Sequence, residues 1–142
     1  MSKALHPFHL AIPVDDLSVA EDFYGGVLGL PRGRSSDQWT DYDFFGHQLV
    51  THLAPDECAR APTNDVDGHA VPVRHFGVVL DKQSWLALAE RLRARRIDFL
   101  IEPGIRFEGQ AGEQGTFFVC DPAGNALEFK YFDDPEQLFA SD

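Results

Sequence analysis

Three residues have types that suit them to joint chemistry: His9, His75 and Glu128. His9 is the second residue of the apolar run Phe8-His9-Leu10-Ala11-Ile12-Pro13-Val14, which reads as a short strand. His75 heads a run of the same kind, His75-Phe76-Gly77-Val78-Val79-Leu80. Glu128 lies in Ala126-Leu127-Glu128-Phe129, where apolar neighbours leave a carboxylate either on an exposed edge or buried for a reason. Two imidazoles and a carboxylate on one face make a facial triad, which leaves coordination positions open for a substrate or dioxygen. Taken singly, a strand histidine is an ordinary core or surface residue and a strand glutamate ordinarily faces water. The two histidines are linked by place, because each stands near the start of the first strand of a half-chain built on one plan.

That plan is an internal repeat. In the first half the strand is followed by a helix, for which Ser18 and Glu21 form a predicted capping box. Ala20, Phe23, Tyr24 and Val27 supply one apolar face at helical spacing, and Gly29 ends it. Strands are predicted over 31–35, 39–45 and 47–54, with Gly46 at the tight turn between the last two. In the second half Asp81 caps a helix with the stripe Trp85, Leu88, Leu92. Strands follow over 98–107, 116–120 and 126–132, and Asp121-Pro122-Ala123-Gly124-Asn125 is a turn. Each half is therefore strand–helix–strand–strand–strand, and the class is α+β. The modules span about 6–55 and 73–133, and the intervening 56–72, rich in Pro, Asn, Asp and Gly, reads as an exposed loop within one domain of 1–142. If the halves pack around a pseudo-twofold axis, the two imidazoles meet.

Composition restricts the partners. The 142 residues suit one domain, and 44% apolar with 25% charged residues is usual for a soluble globular protein. A net charge of −11 repels nucleic acid, whose binding rests on neutralising phosphates. The basic cluster Arg91-Leu92-Arg93-Ala94-Arg95-Arg96 falls in the last turns of the second predicted helix, where cations complement the dipole. No apolar run reaches the roughly 20 residues of a membrane-spanning helix, and the N-terminus lacks a signal-peptide core, so the expected compartment is the cytoplasm. Cys58 and Cys120 lack the paired spacing of a zinc site and read as reduced and structural.

The motifs Phe8-His9-Leu10-Ala11-Ile12, Ala20-Glu21-Asp22-Phe23-Tyr24 with Leu28-Gly29-Leu30, Arg74-His75-Phe76-Gly77, and Phe118-Val119-Cys120-Asp121-Pro122-Ala123-Gly124-Asn125-Ala126-Leu127-Glu128 together cover nearly the whole chain. In them the chain resembles the vicinal oxygen chelate superfamily, which includes glyoxalase I, fosfomycin-resistance proteins, bleomycin-binding proteins and extradiol dioxygenases. The resemblance implies two βαβββ modules whose mixed sheets curl around a metal cup. It implies one divalent ion (Fe, Ni, Co, Mn or Zn) on His9, His75 and Glu128, with bidentate chelation of a small substrate through neighbouring oxygens. It also implies a homodimer.

Departures from the relatives narrow the reaction. Extradiol dioxygenases carry an acid–base histidine that would fall at 109–111, where this chain has Gly109, Gln110 and Ala111; their tyrosine is Phe118 here. Ordinary catechol cleavage then lacks its proton carrier. Glyoxalase I adds a glutamate ligand on the strand that is His47-Gln48-Leu49-Val50-Thr51-His52-Leu53 in this chain, which has no carboxylate. His52 or Gln48, which share a face under strand alternation, can stand in as ligand or proton carrier. His47 and Thr51 lie on the other face. The net charge and the acidic Asp133-Asp134-Pro135-Glu136 argue against a phosphonate substrate of the fosfomycin kind. Arg106 is either an anion contact or a solvated strand end, and Trp39, Tyr42 and Phe44 are either pocket lining or core. The expected function is a metal-dependent lyase or isomerase of the glyoxalase kind, or an oxygenase, with Glu128 and His52 as the catalytic candidates. The alternative is a metal-free protein of the bleomycin-resistance kind that sequesters its ligand.

Overall fold

In the computed structural model, which describes residues 5–139, the chain divides into two compact units, Met1–Cys58 and Ala59–Asp142. The expectation made of residues 1–4 lies outside the described part. In the first unit β1 (His9–Val14) leads through α1 (Leu17–Glu21) to β2 (Arg32–Ser35), β3 (Trp39–Phe44) and β4 (His47–Leu53). The strands form a four-stranded sheet in the order β1-β4-β3-β2. β1 runs parallel to β4, because the helix carries the chain back across the sheet, and the other pairs are antiparallel.

The first helix starts differently from the expectation. Asp16 is its N-cap, with a carboxylate that accepts from the Ser18 and Val19 amides at 2.9 and 3.1 Å. The predicted capping box of Ser18 and Glu21 does not form: the Ser18 hydroxyl donates to Asp16, and Glu21 pairs with Arg32 at 2.8 Å. An ionised carboxylate that satisfies two helix-start amides is a stronger cap than a hydroxyl. After Glu21 the coil widens into a π-helical turn over Asp22–Val27, closed by the Leu28 amide on the Phe23 carbonyl at 2.8 Å. Gly29, at φ +74°, takes the left-handed conformation that ends it, as the sequence indicated. Phe23 and Tyr24 are buried, and the Tyr24 ring meets Tyr42 at 5.6 Å. Tyr42 and Phe44 are thus core residues on the helix side of the sheet, which settles their role against pocket lining.

The second unit opens with a hairpin, β5 (Thr63–Val66) and β6 (His69–Pro72), where the sequence suggested only an exposed loop. Its turn is Asp67-Gly68, both at positive φ, the backbone that lets two strands return with the right twist. The hairpin holds because Val71, with Val66 beside it, packs on Ile101 and Phe118. Then come β7 (His75–Leu80), α2 (Lys82–Ala94), β8 (Ile101–Arg106), β9 (Gln114–Cys120) and β10 (Ala126–Tyr131). The sheet order is β7-β10-β9-β8, the same plan as in the first unit. Asp81 caps α2 through the Ser84 amide at 2.8 Å, and Arg91 and Arg93 lie in its last turn, both as expected. Trp85, Leu88 and Leu92 are buried, and the Trp85 indole donates to the Phe129 carbonyl at 2.8 Å.

Each unit is thus a βαβββ module with its helix on one face of a mixed sheet. Strand alternation then sorts the side chains. Leu49 and Thr51 in the first unit, and Phe117, Leu127 and Phe129 in the second, fill the helix side. The opposite parity holds His9, Gln48, Val50 and His52 in one unit and His75, Glu128 and Lys130 in the other. Cys58 and Cys120 are thiols, not a disulfide, and Cys58 Sγ donates to the Ala54 carbonyl at 3.5 Å. Among the described residues no helix is long and apolar enough to cross a membrane.

Candidate metal centre

His75 is fixed at both ring nitrogens. Its Nδ1 donates to the Pro72 carbonyl at 2.7 Å, and its Nε2 lies 3.2 Å from Glu128 Oε1. The other carboxylate oxygen, Oε2, accepts from the Thr116 hydroxyl. Lys130 Nζ stands 4.0 Å from Oε1. The Phe118 ring packs edge-on to the imidazole, centroids 5.1 Å apart. The bond to Glu128 raises the His75 pKa above the ordinary imidazole value, against the effect of burial and with help from the Pro72 carbonyl. For Glu128, burial pushes the carboxyl upward, but bonds from His75 and Thr116 and the Lys130 charge bring it below its ordinary value. Both shifts favour the imidazolium–carboxylate form of the pair when nothing else is bound.

The donor set fits a divalent cation. With Nδ1 committed to a carbonyl, the proton between Nε2 and Oε1 is the one a cation would replace, and a backbone acceptor on the far nitrogen is the usual orienting partner of a metal-bound histidine. Two ligand atoms about 2.1 Å from one ion and at right angles stand about 3.0 Å apart, close to the separation of this pair.

His9 repeats half of the arrangement in the first unit. Its Nδ1 donates to Gln48 Oε1 at 2.8 Å, and the Gln48 amide donates in turn to Asp41 Oδ2 at 3.4 Å. Nε2 is thereby the nitrogen that His9 presents. The ladders make the correspondence between units definite. His9 is opposite Gln48 as His75 is opposite Ala126, so the counterpart of Glu128, two residues further on, is Val50. The first module has no carboxylate at that place. His52, exposed, shares the face of His9 and Gln48 and is opposite Trp39 on β3. His47, on the other face and at the start of β4, accepts from the Phe8 amide at 2.7 Å. Among the described residues no three or more His, Cys, Asp and Glu side chains gather in one cluster of metal-ligand type; His75 and Glu128 stand together, and His9 belongs to the other unit.

Three partners of the His75–Glu128 pair went unnoticed in the sequence. Lys130 was legible, since alternation alone puts it on the Glu128 face. Thr116 required the β9–β10 register, which pairs it with Lys130 and is a non-local property. Pro72 is a carbonyl at the end of the unforeseen hairpin. Arg106 was foreseen as an anion contact or a solvated strand end, and the second possibility is overturned: it is 5% exposed, held by the hairpin.

Comparison with known proteins gives the family and the fold. No curated protein matches the chain significantly. A glyoxalase/bleomycin resistance protein/dioxygenase from Alicyclobacillus acidocaldarius superposes with a TM-score of 0.82 at 39% identity, over 99% of this chain and 100% of that one. A fosfomycin resistance protein from Listeria monocytogenes gives 0.70 at 13% identity, over 98% and 100%. A lactoylglutathione lyase from Agrobacterium tumefaciens gives 0.64 at 22%, over 99% and 100%. These last two share the fold. The family model for the Glyoxalase/Bleomycin resistance protein/Dioxygenase superfamily matches residues 6–129, and the chain belongs to that superfamily.

Proposed function

We infer that the chain is a metal-dependent enzyme of the superfamily, acting on a small substrate that chelates through neighbouring oxygens, with His9, His75 and Glu128 as the metal ligands. The observation that carries this is the His75–Glu128 pair, 3.2 Å apart with every other polar contact of the two groups aimed at holding it. A divalent ion held there supplies Lewis acidity to the bound oxygens. The chain's own residues do the rest. Pro72 and Gln48 keep the two imidazoles in the Nδ1–H tautomer. Thr116 and Lys130 keep Glu128 ionised. His52, on the His9 face, is the candidate proton carrier.

The reaction this favours is proton transfer, in an isomerase or lyase of the glyoxalase kind. Phe118, buried against the His75 ring, offers no proton where extradiol enzymes have tyrosine. Metal analysis of protein prepared without oxygen tests the reading. Nickel, cobalt or zinc near one ion per chain supports isomerisation, and iron redirects the reading to oxygenation. No uptake of any of Fe, Ni, Co, Mn or Zn leaves the sequestering protein as the better account.

A further inference from the structure

Arg106 closes β8 and is 5% exposed, although it is a strand-end cation in a chain of net charge −11. Its Nη2 donates to the Val66 carbonyl of the hairpin at 2.9 Å. Asp67 Oδ2 lies 3.8 Å from Nε, too far for a hydrogen bond, and the buried Nε–H has no acceptor. The register places Arg106 opposite Gln114, on the face that Thr116 and Lys130 share with Glu128. Arg106, Gln114, Lys130, Phe118, His75 and Glu128 wall one cavity of about 190 Å³ in the second unit. A guanidinium withdrawn from water and left short of acceptors ordinarily has a partner that completes it.

We propose that Arg106, seconded by Lys130, is the subsite for a carboxylate on the substrate, so that the enzyme acts on small monocarboxylic acids. The charge on the cavity wall decides the class. His75 and Lys130 both face Glu128, at 3.2 and 4.0 Å, which leaves Arg106, with only the long Asp67 contact, as the cation on this wall still short of an anion and sets the ligand charge at one carboxylate. The long Asp67 contact is the one a carboxylate displaces, since the planar guanidinium holds carboxylates with directional hydrogen bonds. The volume equals that of about six waters, which suits an acid of a few carbons. The assignment rests on the metal reading only in having the remaining oxygens of the acid face His75 and Glu128.

The test is calorimetric titration of the protein, metal-free and loaded with manganese(II), with pyruvate and with methyl pyruvate. Pyruvate is expected to bind at least about tenfold more tightly than its uncharged ester in both forms. Arg106→Gln should erase that preference while manganese affinity stays within about twofold of the parent. Because Arg106→Gln removes a buried anchor of the hairpin, Arg106→Lys and Lys130→Gln are run beside it with melting curves. Each should keep the fold and lose part of the preference. Equal binding of acid and ester, no binding of pyruvate, or an unchanged preference in folded Arg106→Lys and Lys130→Gln overturns the proposal. If manganese is not taken up but the acid is still preferred, the metal reading fails and this one stands. If manganese binds and the ester competes equally, the reverse holds.

Discussion

A Cβ placed on Gly77 would stand 1.5 Å from the main-chain carbonyl oxygen of Glu128. The two residues are partners on the parallel β7–β10 ladder, so the only side chain that lets these strands meet at Glu128 is a hydrogen. This contact seats the carboxylate beside His75, two residues back along β7. Gly77→Ala should therefore cost about 3 kcal/mol or more in chemical denaturation, at the upper end of overpacking effects. The control is Gly104→Ala, whose Cβ would meet Glu102 at an ordinary 3.9 Å and should change stability by less than about 1 kcal/mol. Similar stabilities for the two variants would show that the strands can separate at Gly77 without loss.

The His75–Glu128 pair makes a prediction for metal-free protein. His75 should titrate above its ordinary 6.5 by NMR, and Glu128→Gln should return it toward or below that value, since burial then acts with less opposition. The sign of the stability effect follows from the two shifts. A raised histidine contributes stability that is complete below its unfolded value and is lost as pH rises through the folded one. A lowered carboxylate contributes stability that is present above its unfolded value and is lost as pH falls through the folded one. The pair therefore contributes in full between the ordinary values of 4.5 and 6.5 and less on either side. Glu128→Gln should flatten that maximum in denaturation curves taken across pH. An unchanged His75 titration in the variant would mean that the carboxylate does not set it.

The modules were legible because each carries its own local signals. The Asp81 cap, the Trp85–Leu88–Leu92 stripe and the Gly29 stop lie within a few residues of what they determine. Sequence pattern failed where two local signals competed or where register decided. Asp16 and Ser18 both offer caps, and only the folded geometry shows the Asp16 carboxylate on two amides. The hairpin strands Thr63–Val66 and His69–Pro72 are short and mostly exposed, so their composition reads as loop even though Asp67-Gly68 is a turn signal. Arg106 looked solvated because a strand-end arginine ordinarily is; its burial depends on that hairpin reaching it. In the candidate site, residue type and repeat position singled out His9, His75 and Glu128, but Thr116 and Pro72 depend on ladders that no local pattern records.

Assembly is a separate prediction. Chains of this superfamily commonly pair, and a homodimer is expected here, with a sedimentation mass near twice 15.9 kDa at micromolar concentration. A mass of one chain across that range would remove the dimer from the functional reading while leaving the residues of each unit as described.

Gln48 decides between two roles in the first module. As a fourth ligand it would give its amide oxygen to the ion; in the structure that oxygen accepts from His9 Nδ1 at 2.8 Å, and its amide nitrogen is turned toward Asp41. A group whose oxygen is already engaged in orienting a histidine is a positioning residue. Removing such an orienting partner typically costs about 10–100-fold in metal affinity and leaves the ligand count unchanged. Gln48→Ala should show that loss in a competition titration against a chelator, with X-ray absorption reporting the same number of nitrogen and oxygen neighbours as the parent. His9→Ala, His75→Ala and Glu128→Gln should instead lose stoichiometric binding, because in the proposed set each is one of only three ligands. Gln48→Glu discriminates further. A carboxylate in place of the amide still accepts from His9 and should preserve affinity if Gln48 orients. If Gln48 is a ligand, it should tighten binding and change the absorption spectrum. A lower coordination number in Gln48→Ala would assign the amide to the metal and leave His9 without its orienting partner in the bound state.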